Sequence, residues 1–379
     1  MTALRLFYAT NRNHLGNDRW HPDGYGKKFS DDGVENLRFG RVTVEADEAK
    51  MAKYLEADCG TIGQGDGEGL IKYLAKCAES AKIVAYKEKI NRSVAEDQQE
   101  NVKLGSQGAF SDLQTIMRKD TDVLIFIHGY NVSWTDAVGT ALSLQQMLNH
   151  CPEGDPEQEV QVVLFTWPSD GMALPFVSYK SDRSEAAGSG NAVGRGILKV
   201  RDFLAALRRD DEQLCKQDLH LLCHSMGNYL LQNAVTRCDA FTPGNALPRL
   251  FEHIFLCSPD VDDNVLEEGH PLGRVHELAR SVSVYYNHGD AALVISDFTK
   301  GNPDRLGSNG PARPSLVHNK VNQIDCSGIV KGLVEHSYYL VGNVNADIRM
   351  SMDGMPHEDP RRRRNKIGTM GNQWEMRPA

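Results

Sequence analysis

Short apolar runs alternate with helix-spaced apolar positions through the middle of the chain. Each run is rich in Val, Ile, Leu or Phe and is bounded by polar residues or glycine. This pattern is typical of strands that are buried on both faces of a parallel sheet. The predicted strands are Val123–Ile127, Val160–Phe165, Leu219–Cys223, His253–Cys257, Val282–Tyr286 and the weaker Val321–Asp325.

Between the predicted strands, apolar residues recur every three or four positions, as they do on one face of a helix. The predicted helices are Thr135–His150, Gly194–Arg209 and Gly227–Arg237. Strands and helices that alternate at this rhythm form βαβ units with right-handed crossovers. The middle of the chain is therefore predicted to be an α/β domain, with a mostly parallel sheet flanked by helices.

The first third of the chain is less regular. Strands are predicted at Leu4–Ala9, Arg41–Glu45 and Ile83–Tyr86. The glycine-rich segment 60–69 is interpreted as a turn, because its spacing matches no phosphate-binding loop. The polar and charged segment 90–108 is predicted to be a surface insertion.

A basic tail follows residue 355 and includes Arg361–Arg364 and Lys366. The simpler interpretation is a solvated, partly disordered segment, and the more specific one is a contact with phosphate, acidic protein or anionic lipid. The predicted division of the chain is 1–119 as N-terminal strands and an insertion that pack on the sheet, 120–354 as the α/β core, and 355–379 as the tail.

Composition narrows the function classes. The 379 residues carry 42 Lys and Arg against 51 Asp and Glu, a net charge of −9, which argues against a general nucleic-acid-binding protein. The 8 cysteines include no CxxC pair, so no metal site is predicted, and those at the ends of apolar runs are expected to be reduced core residues. Because neither a signal peptide nor a transmembrane helix is predicted, we expect a cytoplasmic protein.

One predicted strand runs directly into a helix across Cys223, Ser225 and Gly227, the local context of a nucleophile elbow. Such a turn exposes the Ser225 hydroxyl at the carboxyl edge of the sheet. It needs small residues two positions before and after the serine, because the strand and helix backbones nearly touch. Gly227 meets this need, and Cys223 is tolerable. The alternative is that Ser225 only caps the helix that follows.

The loop after Val123–Ile127 carries a second predicted part of the same site. In folds with a nucleophile elbow, one backbone N–H of this loop and the N–H that follows the nucleophile form an oxyanion hole. The predicted donors are the backbone N–H groups of Tyr130 and Met226. His128 is expected to stiffen the loop by hydrogen bonding rather than to act as a base.

The acid and the base are predicted from chain order, which in such folds is Ser, then Asp, then His. Asp290, in a turn just past Val282–Tyr286, is the favoured acid, and Asp260 is its rival. His336 follows the last predicted strand and is the favoured base, whereas His224 is left a supporting role at most.

The sequence around these residues resembles a known family. The resemblance rests on the segments VLIFIHGYNVSW, LFTWPSDG, LHLLCHSMGNYLL, SPDVD, VYYNHGD and EHSYYL, in that order, and on FYATNR near the start. They are similar to the bacterial α/β-hydrolases of the DUF900 group over most of residues 120–350. The resemblance implies an α/β-hydrolase fold and a serine hydrolase of esterase or lipase type, with Ser225, Asp290 and His336 as its triad. Cys223 departs from the family pattern.

The predicted reaction is hydrolysis of a carboxylic ester through an acyl-enzyme on Ser225, with no metal or organic cofactor. The expected substrate is a small-molecule or lipid ester. Its apolar pocket is predicted from Trp134, Trp167, Met172 and Phe176, with core or lid packing as the alternative. A thioesterase, amidase or phospholipase would use the same triad, and a non-catalytic binding protein would keep the fold alone. Membrane contact is considered only for the basic tail, and the oligomeric state is left open.

Overall fold

The computed structural model describes residues 1–88, 105–119, 121–151, 159–169, 175–209, 217–290, 292–293, 304–330 and 336–378. Its helices are α1 (Glu48–Leu55), α2 (Gly67–Ala78), α3 (Gly105–Met117), α4 (Trp134–Asn149), α5 (Pro175–Arg209), α6 (Gly227–Phe241) and α7 (Gly342–Met352), and Leu306–Asn309 forms a single helical turn. Its strands are β1 (Thr2–Thr10), β2 (Arg12–Leu15), β3 (Gly24–Phe29), β4 (Arg38–Ala46), β5 (Lys82–Ala85), β6 (Thr121–Ile127), β7 (Glu159–Thr166), β8 (Leu219–His224), β9 (Phe251–Cys257), β10 (Ala279–Tyr286), β11 (Val321–Asp325), β12 (Arg364–Lys366) and β13 (Gln373–Met376).

One large sheet organises the molecule, with the strand order β12-β13-β11-β10-β9-β8-β6-β7-β1-β4-β5. From β13 to β1 every neighbouring pair is parallel. Within this sheet, the antiparallel pairs among the described strands lie towards the two edges, and β2 and β3 form a separate antiparallel pair. The mostly parallel sheet predicted from the apolar runs is therefore present, and each of those runs is a strand in it.

Helices cover both faces of this sheet. The side chains of the central strands are apolar on both faces, so both faces need to be covered. In β6, Leu124 and Phe126 belong to the apolar core beneath α2, α4 and α7, whereas Ile125 and Ile127 pack against the core beneath α5 and α6. Successive side chains of a strand point to opposite faces, so a strand covered on both sides must be apolar throughout. None of the described helices combines the length and apolarity needed to cross a bilayer.

The N-terminal third extends the same sheet. β1 pairs in parallel with β7 and antiparallel with β4, which in turn pairs with β5. The predicted insertion 90–108 lies mostly outside the described residues, and its last part, from Gly105, begins α3. The predicted helix Gly194–Arg209 is the second half of the longer α5.

The prediction of a solvated basic tail is wrong for Arg362, Arg364 and the two short strands β12 and β13, whereas Arg361 and Lys366 are exposed. β12 and β13 add to the edge of the sheet beside β11, and Arg362 and Arg364 are buried. Both guanidinium groups contact the buried carboxylate of Asp347 in α7, with the Arg362 Nε 2.9 Å from Oδ1. A paired counter-charge allows arginines to enter a core that would exclude them alone.

The cysteines that border the apolar strands behave as small core residues. Cys223, Cys257 and Cys326 are buried and not in disulfides, and so is Cys238 of α6. Burial raises the pKa of the Cys223 thiol well above its usual range, which keeps it in the neutral form.

Candidate active site

Ser225 lies at the sharp turn between β8 and α6. Its φ of 52° is in the left-handed region, a conformation that costs an L-residue roughly 1–2 kcal/mol and that is concentrated at functional sites. A Cβ on Gly227 would come within 2.7 Å of the Ile127 carbonyl oxygen and 2.8 Å of that of His128. Only glycine fits between the helix and the neighbouring strand end, as the elbow interpretation requires.

A side chain that the sequence analysis did not single out braces this turn. The Asn228 Nδ2 donates to the carbonyl oxygens of Cys223 and Ser225, each at 3.0 Å. No side chain of the described residues makes a capping hydrogen bond at the start of α6, so the alternative that Ser225 serves only as a helix cap is not supported. These two hydrogen bonds hold the backbone of the turn, and Ser225 lies at the end of β8.

The loop after β6 lies against the nucleophile candidate. A Cβ on Gly129 would come within 2.9 Å of the Ser225 Cβ. The next N–H groups of the loop are engaged: that of Asn131 donates to Asp182 Oδ2 at 2.8 Å, and that of Val132 to Ser169 Oγ at 3.1 Å. By contrast, the backbone N–H groups of the two predicted oxyanion donors, Tyr130 and Met226, have no acceptor among the described residues.

His128 anchors this loop through a chain of buried hydrogen bonds. Its Nδ1–H donates to the Gly129 carbonyl at 2.7 Å, and its Nε2 accepts from the Thr166 hydroxyl at 3.0 Å. Burial, with Arg12 nearby, lowers the pKa of His128 to about 3, so the ring is neutral. The supporting role expected for His128 agrees with these contacts.

Arg12 extends the network to the FYATNR segment at the start of the chain. Its Nε donates to the Thr166 hydroxyl at 2.9 Å, and its Nη2 donates to the Val132 carbonyl at 2.7 Å. The side chain is buried. The N-terminal segment therefore braces the loop after β6, a contact between positions far apart in sequence that no local pattern reveals.

The structure brings Asp290 and His336 together. The His336 Nδ1 lies 2.7 Å from Asp290 Oδ2, and Asp290 Oδ1 accepts the N–H of Ala292 at 3.2 Å. The Asp290 side chain is 1% exposed and that of His336 is 17% exposed. A buried carboxylate on Nδ1 leaves the Nε2 of His336 as the nitrogen that can exchange a proton with a substrate or a nucleophile.

Asp260, the rival acid, has other partners. Its Oδ2 accepts from the Tyr179 hydroxyl at 2.8 Å, and its Oδ1 lies 3.5 Å from the Arg305 Nε. Its backbone N–H donates to the Ser225 carbonyl at 3.2 Å. Asp260 thus supports the turn at Ser225 through its backbone N–H, and Asp290 is the carboxylate that contacts His336.

His224 contacts His336 from the end of the strand that precedes Ser225. Its ring centroid lies 4.7 Å from that of His336, and its Nε2 lies 3.1 Å from the His336 carbonyl oxygen. The Ser258 hydroxyl donates to the same oxygen at 3.0 Å. Chain order alone left His224 a supporting role at most, and it gave no reason to select Ser258.

The predicted pocket is corrected for its two tryptophans. Trp134 packs between Tyr8 and Tyr25, with ring centroids 5.1 and 4.7 Å away. Trp167 is fully buried and stacks on His128 at 5.3 Å. Both indoles are buried and pack as core residues against rings from β1, β3 and the loop after β6. Met172 and the Phe176 side chain lie outside the described residues.

An apolar cavity of about 520 Å³ lies elsewhere, between the sheet and helices α3 and α5. Its walls include Phe39, Phe110, Ile197 and Phe203, and none of the triad candidates lines it. Among the described residues, no group of three or more His, Cys, Asp or Glu is arranged to hold a metal ion.

Comparison with known proteins bears on this geometry. A family model described as "Alpha/beta hydrolase of unknown function (DUF900)" matches residues 107–348, more than half of the chain. The chain belongs to this family. The α/β-hydrolase fold and the family indicated by the sequence motifs are both confirmed, and the protein is a member of a hydrolase family.

Two solved structures are reported among those that match. Lipase B of Aspergillus fumigatus is 11% identical with a TM-score of 0.33, over 60% of this chain and 52% of the lipase chain. Phospholipase PlaB of Legionella pneumophila, in complex with thio-NAD, is 16% identical with a TM-score of 0.22, over 54% of this chain and 37% of its own. No curated protein matches the sequence.

Proposed function

We propose that the protein is a serine hydrolase that cleaves carboxylic esters through an acyl-enzyme on Ser225, with His336 as the base and Asp290 as the acid. The observation that carries the proposal is the 2.7 Å contact between His336 Nδ1 and Asp290 Oδ2. Ser225 lies in a left-handed strand-to-helix turn, and the residue before it, His224, contacts the His336 carbonyl oxygen. A nucleophile, a base and a group that orients the base are the elements of a catalytic triad.

In the proposed reaction His336 takes the Ser225 proton as Oγ attacks the acyl carbonyl. The Asp290 carboxylate holds the imidazole in the Nδ1–H tautomer and stabilises the imidazolium that forms. The N–H groups of Tyr130 and Met226 bind the oxyanion, each donor contributing typically about 100- to 1,000-fold in turnover. The imidazolium of His336 then gives its proton to the alkoxide oxygen as the ester C–O bond breaks, which releases the alcohol and leaves the acyl group on Ser225. Water, activated by the same base, hydrolyses this acyl-enzyme.

Among the described residues, the Ser225 hydroxyl makes no hydrogen bond to His336. The side chain of His336 bonds to Asp290 through Nδ1. In enzymes of this type that contact commonly tightens only when substrate binds. An ester is proposed rather than an amide because an alkoxide departs with less assistance than an amine, so the ester places the smaller demand on His336. Lipid esters fall within the same proposal.

Initial rates on a panel of p-nitrophenyl esters of increasing acyl length test the proposal. Ser225→Ala is expected to lower kcat by at least about 1,000-fold, since the attacking oxygen is lost. Ser283→Ala is the matched control, because Ser283 is also buried but lies within β10, outside the site. Equal rates for the two variants would contradict the proposal. Thioester and amide analogues in the same assay decide between the acyl donors.

A further inference from the structure

Two side chains at neighbouring strand ends converge on one backbone atom of the proposed base. The His224 Nε2 and the Ser258 Oγ lie 3.1 and 3.0 Å from the His336 carbonyl oxygen. We infer that His224 and Ser258 are positioning residues that clamp this carbonyl and so fix the imidazole of His336 beside Ser225. The inference rests on the proposed function, because it assigns the clamp a role in that reaction.

The clamp is built on the ends of two hydrogen-bonded strands in the middle of the sheet. β8 and β9 are adjacent parallel strands, and His224 stands directly opposite Cys257 in their register. The residue after His224 is Ser225, whose N–H donates to the Cys257 carbonyl at 3.0 Å. The residue after Cys257 is Ser258. The sheet edge that sets the position of the nucleophile therefore also sets the position of the base.

The backbone of Ser258 is in a strained conformation that is rare for a non-glycine residue. Its φ of 45° is in the left-handed region, as is that of Ser225. Its N–H donates to the Tyr285 carbonyl at 3.1 Å, and Gly307 approaches so closely that a Cβ there would come within 2.5 Å of the Ser258 carbonyl carbon. Strained non-glycine positions persist only where the surrounding structure enforces them, and they are concentrated at functional sites. We attribute the strain at Ser258 to its hydrogen bond with the His336 carbonyl oxygen.

The chemistry of His224 suits a neutral donor. A carbonyl oxygen only accepts, so the Nε2 of His224 carries the proton. Burial, together with the nearby His336, holds the pKa of His224 well below its usual range. The ring lies between His336 and Tyr339, with centroids 4.7 Å from each. A neutral ring there avoids repulsion of the imidazolium that the reaction forms on His336.

Steady-state kinetics of matched variants of the full chain test the clamp. His224→Leu and Ser258→Ala are each expected to lower kcat on a p-nitrophenyl ester by about 10- to 100-fold with KM within twofold, because a base displaced by about 1 Å loses roughly that much. His224→Gln keeps an N–H donor and is expected to recover most of the loss. Ser258→Gly relieves the strain but lacks the hydroxyl, so it should be as slow as Ser258→Ala.

His253→Leu is the control for His224. Both histidines are 9% exposed, and His253 lies at the other end of β9, stacked on His220. Its kcat is expected to equal that of the unmodified protein. If His224→Leu and Ser258→Ala also kept full kcat, or if Ser258→Gly were fully active, the clamp would have no role in positioning the base.

Hydrogen–deuterium exchange provides a readout that needs no activity. Amides in the peptide 336–345 are expected to exchange faster in His224→Leu and Ser258→Ala than in the unmodified protein, and at the unmodified rate in His253→Leu. Unchanged exchange in the first two variants contradicts the clamp. If the unmodified protein hydrolysed no ester while exchange responded as expected, the proposed function would fail and the clamp would stand as a structural feature.

Discussion

Replacing Asp347 by asparagine tests how the C-terminal strands are held on the sheet. The Asp347 carboxylate is buried and accepts from Arg362 Nε at 2.9 Å, from the Tyr285 hydroxyl at 2.6 Å and from Arg364 Nη2. Asp347→Asn preserves the shape of the side chain but removes its charge. The two buried guanidinium groups then lose their shared counter-ion while the surrounding core stays closed to water.

The expected loss of stability follows from the two buried positive charges that are left without a counter-ion. Removing one partner of a buried ion pair typically destabilises a protein by about 3–5 kcal/mol. Three charge-assisted hydrogen bonds are lost or weakened here, so we expect the free energy of unfolding to fall by about 3–5 kcal/mol, a large fraction of the roughly 5–15 kcal/mol of a typical domain. Replacing Asp347, Arg362 and Arg364 together by apolar residues of similar volume should recover most of the loss.

Urea unfolding followed by tryptophan fluorescence measures this change. Asp359→Asn is the matched control, because Asp359 pairs with the exposed Arg361 at 2.8 Å and its loss should leave the midpoint nearly unchanged. Burial raises the pKa of Asp347, but Arg362 and Arg364 outweigh burial and hold the pKa below its usual value. The contribution of Asp347 is therefore present above about pH 4 and is lost as the pH falls through the lower folded-state pKa.

The difference between the unmodified protein and Asp347→Asn should accordingly shrink in acid. A loss below about 1 kcal/mol at neutral pH would refute the reasoning, since an orphaned buried pair of arginines should cost more. So would a difference that grows as the pH falls.

Three further substitutions probe the site. Asp290→Asn should lower kcat by about 10,000-fold with little change in KM, because the amide stabilises the wrong tautomer of His336; a loss below tenfold in ester kinetics would speak against the triad. Gly227→Val should lower the free energy of unfolding by roughly 1–3 kcal/mol, since the valine Cβ would stand 2.7 Å from a carbonyl oxygen. An unchanged Tm would contradict the close approach. Arg12→Met should cost on the order of 3 kcal/mol and slow ester hydrolysis at least tenfold through the loop that it braces at Val132; normal kcat in the folded variant would remove that link.

The parts of the fold that could be predicted from sequence are those whose cause is local. β6, β8 and β9 are apolar on both faces because both faces are covered, and this is visible in a few consecutive residues. The elbow at Ser225 is equally local, since a strand, a small residue and a helix meet within a short segment. Chain order then placed Asp290 and His336 as candidates, and the structure brings these two side chains into contact.

The parts that could not be predicted depend on contacts between distant positions. β12 and β13 are only three and four residues long, and Arg362 and Arg364 are buried because Asp347 of α7 meets them. A run of arginines without that partner resembles a solvated tail.

The pocket and the clamp depend on distant contacts in the same way. Trp134 and Trp167 follow loops near the site in sequence, yet their partners draw the rings into the core. The bonds from His224 and Ser258 to His336 span 112 and 78 positions, which no pattern in one sequence records.

The central claim is that Ser225 is the nucleophile. Treating the folded protein with a fluorophosphonate and mapping the adduct by mass spectrometry tests it most directly, because the reagent forms a covalent bond only with an activated serine. We expect one adduct, on Ser225, that is absent in Ser225→Ala and forms far more slowly in Asp290→Asn. No adduct on the folded protein, or labelling that persists undiminished in Ser225→Ala, would contradict it.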